Sequence, residues 1–353
     1  MPGSGGATGI GRVDVIGSGG LPGTGGAPVI GGGGVPGSGG APGGGGAPVI
    51  GGGGVPGSAG APGAGGAPGW DGGGTVDTGG LQAEARPLIP PSTFSQVAIG
   101  NVYSCGLGTD GTVFCWGCNS IDIVASPPAG AYAQITSSTW YSVCGLTIGG
   151  SVVCWGDPSN GVTPSPEGTF TQISAGLAQA CGLKSDGTVV CWGNRSAGAP
   201  SPAGGYTQVA AGRDYACGIR TDGTIACWGN NEGGQATPPA GTFARLSANY
   251  SHACGVGTDG TVTCWGDNGY GQATPPAGKF TQVAAGGDHT CGISLDRTVA
   301  CWGSNQFGQS TAPAGTFWQI AAGVYHTCGV RTDGTVACWG CINSLFCGMC
   351  EAP

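Results

Sequence analysis

The residues best equipped for chemistry in this chain are its 18 cysteines, all of which lie between Cys105 and Cys350. Fourteen form pairs with nine residues between them, the second always opening Cys-Trp-Gly. The pairs are Cys105/Cys115, Cys144/Cys154, Cys181/Cys191, Cys217/Cys227, Cys254/Cys264, Cys291/Cys301 and Cys328/Cys338. Thiols at a fixed spacing serve as disulfides, metal ligands or buried apolar residues. Zinc fits poorly, because each pair offers two ligands and the pairs lie in separate repeats.

The segment between the cysteines decides between disulfide and buried thiol. Five copies read [TS]-D-G-T-[VI], as in Thr221-Asp222-Gly223-Thr224-Ile225. A three-residue turn ending in Gly is a type I turn with a G1 bulge, where Gly takes positive φ without penalty. With Thr109-Asp110-Gly111 in the loop, Gly108 and Thr112 close it as a hydrogen-bonded pair. Counting outward, Cys105 faces Cys115 at a non-hydrogen-bonded position, where Cα atoms stand about 4.5 Å apart. That is disulfide distance. A cross-strand disulfide is expected in each hairpin, and an oxidising, extracellular or cell-surface location follows. Each bond is worth at most about 2.5–3 kcal/mol in the chain-entropy account. Two copies break the turn pattern: Ile148-Gly149-Gly150, and Leu295-Asp296-Arg297, where an Arg replaces Gly and a changed turn is expected.

Other reactive groups do not assemble. His252, His289 and His326 each precede the first Cys of their repeat by two residues, where other copies hold Tyr103, Ser142, Gln179 and Tyr215. Repeat-related residues fall in different units and do not converge on one site, so these histidines read as structural. The aspartates Asp110, Asp186, Asp222, Asp259 and Asp333 are turn formers. With no carboxylate pair, nucleophile elbow or His-rich cluster, no catalytic residue, metal or cofactor is assigned, and the chain reads as a non-enzyme. The extra cysteines Cys118, Cys341, Cys347 and Cys350 allow three pairings, and a four-thiolate zinc site also stays open.

The elements that hold these groups repeat every 36 to 39 residues from Phe94 onward. Each repeat supplies three short strands: a Phe-x-Gln-Val type such as Phe280 to Ala284, the stretch through the first Cys, and the stretch ending at Cys-Trp. The strands are apolar on both faces, as in sheets covered on both sides. Trp116, Trp155, Trp192, Trp228, Trp265, Trp302 and Trp339 recur once per repeat, at positions suited to packing between sheets. Seven small antiparallel sheets fit an all-β, seven-bladed β-propeller. Residues 87–94 match the inter-repeat connector at 236–243, and the last repeat lacks that connector. The segment before Phe94 is thus a candidate latch for the ring, and whether a blade has three or four strands stays open.

The run WGDNGYGQATPPAGKFTQVAAGGDHTCGISLDRTVACWG resembles the regulator-of-chromosome-condensation repeat. Closer still is the likeness to the compact seven-bladed bacterial propellers that inhibit β-lactamase. The resemblance covers residues 86–353 and implies the propeller fold. It says less about function, because propellers host many. The cysteine pairs depart from it and point outside the cell.

Residues 1–85 differ in kind. They are almost wholly Gly, Pro, Ala, Ser and Val, and 25–44 nearly repeats as 45–64. Such sequence buries too little apolar surface to offset its ordering entropy, so a disordered tether with an r.m.s. span of roughly 50 Å is expected. A net charge of −8 with ten basic residues argues against nucleic acid or an anionic membrane surface. No stretch is apolar enough for a membrane span, and no secretory signal follows Met1. An incomplete N-terminus would reconcile that absence with the disulfides.

The remaining variation is in the loop between Ala-Gly and the first Cys. It carries Tyr103, Trp140, Tyr141, Arg213, Asp214, Tyr215, Asn249, Tyr250, Asp288 and Tyr325. All these loops open on one face of a ring, and aromatics with a few charges on a rigid frame make a protein-binding face. The inhibitory propeller uses aromatics in this same loop, so the resemblance supports these positions. A monomeric, secreted or surface-tethered binder of a protein partner is expected. A carbohydrate binder is the alternative, and a lyase-like enzyme with a central-channel site a further one.

Overall fold

The computed structural model describes residues 91, 93–117, 127–139, 141–194, 200–340 and 353. The tether 1–85, the latch residues 87–90 and 92, Trp140, Cys118, Cys341, Cys347 and Cys350 lie outside them. The described residues form seven antiparallel sheets of three strands each, in consecutive order, with no strand exchanged between sheets. The blades span residues 94–117, 132–156, 170–192, 206–229, 243–266, 280–303 and 317–339. Blade 5 shows the plan: inner strand Phe243–Asn249, middle strand His252–Gly257 and outer strand Val262–Gly266. Inner strands pack on those of the next blade all round, and Phe94–Ile99 of blade 1 packs on Phe317–Ala322 of blade 7. The ring is closed.

Local chemistry explains each blade. In the first hairpin Gly108 N–H donates to Thr112 O at 2.8 Å and Gly111 has φ 82°, the expected bulged turn. Asp110 accepts from both the N–H and the hydroxyl of Thr112, holding its carboxyl below the usual carboxylate range. The two irregular copies keep this turn. Arg297 adopts φ 68° and its N–H donates to Ser294 O at 3.0 Å, so the expected change of turn does not occur. Hydrogen bonds from Ser294 and Thr298 to Asp296 fix the loop firmly enough for Arg to sit in the left-handed region.

All seven hairpin disulfides are present: Cys105–Cys115, Cys144–Cys154, Cys181–Cys191, Cys217–Cys227, Cys254–Cys264, Cys291–Cys301 and Cys328–Cys338. Partners stand directly opposite in the register, as Cys254 does to Cys264, with Cα atoms 4.0 Å apart in each pair. No free cysteine occurs among the described residues.

The spacing treats the two members of a pair alike, but their surroundings differ. The first cysteine of every pair lies on the middle strand and is 0% exposed. The second lies on the outer strand, where Cys154, Cys191, Cys227, Cys264, Cys301 and Cys338 are only partly buried. Cys115 alone among these second members is buried, at 7% exposure. A three-stranded blade leaves its outer strand as the edge of the sheet, with a hydrogen-bonded neighbour on one side only. Each disulfide therefore ties a partly exposed edge strand to the fully enclosed middle strand.

Between blades the tryptophans meet the inner-strand aromatic of their own sheet and the disulfide of the preceding one: Phe280, Trp302 and Cys254 share one cluster. The glycine after the first Cys lets that aromatic approach. A Cβ on Gly255 would stand 2.5 Å from the Phe243 ring.

Two hydrogen-bond systems run round the ring. The first links each turn to the next blade, as in Phe280 N–H to Gly260 O, and crosses the closure as Phe94 N–H to Gly334 O, both at 2.8 Å. The second uses the glutamine of the Phe-x-Gln strand. Gln96 donates to Ile135 O and accepts from Ile135 N–H, each at 2.9 Å. Gln134, Gln172, Gln208, Gln282 and Gln319 do the same to the blade ahead of them, and Gln319 reaches Val97 to close the circle. Blade 5 has Arg245 at this position.

Candidate binding face and central channel

The loops between inner and middle strands all emerge at the end of the blades opposite the Asp-Gly turns. Their residues divide into two sets. Tyr103 and Tyr215 are 1% and 0% exposed, so they do not belong to a binding face, contrary to expectation. Tyr103 Oη donates to Ser138 O and Ser142 O in blade 2, and Tyr215 Oη donates to Asn249 O and His252 O in blade 5. Burial pushes both phenols far above their ordinary pKa. A ring that points into the next blade satisfies its hydroxyl on that blade's open carbonyls.

The histidines share this role. His252 Nε2 lies 2.8 Å from Thr290 Oγ1, His289 Nε2 lies 2.7 Å from Thr327 Oγ1, and His326 Nε2 lies 2.8 Å from Ser104 Oγ. Thr290 gives its own hydroxyl proton to Gln272 O at 2.9 Å, so His252 is the donor and carries its proton on Nε2. Nδ1 of each histidine is buried without a partner. Protonation there finds no acceptor, and burial lowers the pKa to about 4 for His252 and His326 and about 3 for His289.

The second set stays half-exposed: Tyr141, Arg213, Asp214, Asn249, Tyr250, Asp288 and Tyr325. Tyr141 takes φ 53° and stacks on Tyr103 with ring centroids 6.3 Å apart. The Arg213 guanidinium lies 4.9 Å over the Tyr250 ring and 3.5 Å from Asp214, joining the loops of blades 4 and 5. Tyr325 meets Phe307 edge-on at 5.3 Å. Asn249 instead turns inward, donating to Ala322 O at 3.2 Å two blades away and narrowing the channel at this end. Burial, and then the charge of Asp267, raise the Asp288 carboxyl.

Connector residues add to this face. Phe307 and Tyr270 follow Cys-Trp-Gly, and Tyr270 is 54% exposed. Sequence reasoning confined to the pre-cysteine loop missed them. An aromatic at the Gly233 position of the connector was the available signal. Among the described residues, the loops and adjoining connectors carry Asp157, Asp214, Glu232, Asp267 and Asp288 against the single base Arg213. The face is acidic.

A channel of about 750 Å³ runs along the inner strands. Its wall includes Arg245, Arg297 and Trp318 and, among the described residues, holds no acidic one. No cluster of metal-ligating side chains occurs among the described residues, and none of their helices is long and apolar enough to cross a membrane.

Six segments match the Regulator of chromosome condensation (RCC1) repeat: residues 94–120, 170–198, 206–235, 243–272, 280–309 and 319–347. Blade 2 falls outside these matches although its backbone repeats the others. No curated protein sequence matches the chain. Among solved structures, the ectodomain of the Physcomitrella patens receptor kinase CR4 is 26% identical with a TM-score of 0.62, covering 70% of this chain and 74% of that one. The CRINKLY WD40 ectodomain of the Arabidopsis thaliana receptor kinase ACR4 is 28% identical with a TM-score of 0.60, covering 70% and 96%. Human WBSCR16, at 15% identity, TM-score 0.58 and coverage of 68% and 87%, shares the fold alone.

Proposed function

We propose that this chain, a propeller carrying chromosome-condensation-regulator repeats, is a non-catalytic extracellular or surface-held protein that captures a protein partner on its loop face. The observation that carries this reading is the rigid mounting of half-exposed rings on that face. Tyr141, Tyr250 and Tyr325 are braced by neighbouring side chains while part of each stays accessible. Aromatics held with little remaining rotamer freedom lose little entropy on binding and are frequent anchors of protein interfaces. The acidic rim supports a partner surface rich in Lys or Arg. Seven disulfides are compatible with an oxidising compartment. Two similar solved structures are ectodomains of receptor kinases, which is in keeping with work at a cell surface. The resemblance to inhibitory propellers favours the same loops.

The test is affinity capture from native cell-envelope extract with the wild-type chain and with Tyr141→Ala, Tyr250→Ala and Tyr325→Ala together. A protein held by the wild type and lost by the triple variant supports the reading. Undiminished capture by the triple variant, or binding only to a glycan array, counts against it.

A further inference from the structure

Seven copies of one unit supply their own reference, so a position that departs from its counterparts stands out. Three departures meet in one place. Arg245 occupies the position of the six ring glutamines, Arg297 that of the turn glycine, and Trp318 that of Ser95, Ala133, Thr171, Thr207, Ala244 and Thr281. All three line the central channel.

Arg245 is the most telling. Every glutamine of the ring brackets the backbone of the next blade with two hydrogen bonds, and Val283 receives no such bracket. The blade has given up a ring bond for a guanidinium exposed in the channel. No carboxylate among the described residues lines the wall to neutralise it, although the chain has a net charge of −8. Arg297 lies 3.7 Å over the Trp318 ring, which is 53% exposed. Both stand at the turn end, opposite the end narrowed by Asn249.

We propose that the channel is a second binding site, taking the carboxylate of an acidic saccharide, with Arg245 as the anchoring cation and Arg297 and Trp318 at its entrance. A planar guanidinium matches a carboxylate in bidentate geometry. A sugar ring supplies a flat face for the part of the Trp318 indole that stays exposed beside Arg297. The cavity falls in the size range of small-ligand sites, about 300–1,000 Å³. Arg297 and Trp318 stack on each other, and Trp318 donates to Thr332 O, but Arg245 breaks the ring pattern without local gain, as expected at a functional site. The site is independent of the loop face and of the partner proposed there.

Calorimetric titration of the full chain with galacturonic acid and trigalacturonic acid tests this, with galactose and a tri-aspartate peptide as controls. Either acid should bind and galactose should not. Binding of the monomer points to a free sugar acid, and binding of the trimer alone to a polymer. Arg245→Gln should weaken binding at least tenfold while leaving the ligand-free thermal midpoint unchanged or higher, since it restores the seventh glutamine. Arg297→Gly should weaken it too, with the turn intact. Failure of both acids to bind, equal binding by R245Q, or a lower midpoint in R245Q would overturn the proposal. Equal binding of tri-aspartate would overturn the saccharide assignment.

Discussion

His326 Nε2 of the last blade lies 2.8 Å from Ser104 Oγ of the first, and both residues are wholly buried. The same bridge joins His252 to Thr290 and His289 to Thr327, so three successive boundaries, the ring closure included, depend on neutral imidazoles.

Acid should therefore loosen the ring. The folded pKa values, about 4, 3 and 4, lie below the usual imidazole value near 6.5. As pH falls the unfolded chain takes up these protons first. Stability is complete above about pH 6.5 and lost on descent toward pH 4, with a slope of up to about 4 kcal/mol per pH unit for three such groups. Scanning calorimetry between pH 7.5 and 4 should show the midpoint falling, and His326→Gln should flatten the slope by about a third. Gln179, at the same repeat position, already bridges to Gly212 O and Tyr215 O. A midpoint constant down to pH 4.5 would contradict this account.

Gly255→Ala should destabilise blade 5 by about 1–3 kcal/mol, because its Cβ would meet the Phe243 ring at 2.5 Å and Ile225 at 3.4 Å. Gly234→Ala is the control. It also changes a glycine, at φ 78°, but with no atom within 4 Å, so only backbone strain of about 1 kcal/mol applies. Chemical denaturation of both variants checks the order.

Non-reducing peptide mapping should return the seven hairpin disulfides, each closing a separation of 10 residues. Replacing Cys217 and Cys227 together by Ala should lower stability by up to about 3 kcal/mol without unfolding the other blades. Thiol labelling of any of these fourteen cysteines in the unreduced native protein would contradict the pairing.

Tyrosines from the same loops should behave oppositely. Tyr103→Phe removes a buried hydroxyl bound to Ser138 and Ser142 and should cost about 1 kcal/mol of stability, with partner capture unchanged. Tyr250→Ala should leave the thermal midpoint nearly unaltered and weaken capture at least tenfold, as expected of an interface anchor. Measuring midpoint and capture side by side separates the two roles.

Much of the architecture was determined by sequence alone, because it is local. The turn Thr109-Asp110-Gly111 sets the register, and the register places Cys105 opposite Cys115, whatever the rest of the chain does. Repetition then supplies seven blades. What only the tertiary structure decided is where a side chain goes once two blades meet. Tyr103 and Tyr250 both belong to aromatic loops, yet one is sealed against blade 2 and the other stays half-exposed beside Arg213. Alternation along a strand assigns a side of the sheet. It does not say whether that side faces a neighbour, a channel or solvent. For the same reason the glutamine of the Phe-x-Gln strand was visible as a pattern while its purpose was not. Gln319 finishes the ring by bonding Val97, 222 residues away, and that contact exists only when the blades close. The three departures, Arg245, Arg297 and Trp318, gain meaning from the same closure, which brings them to one channel.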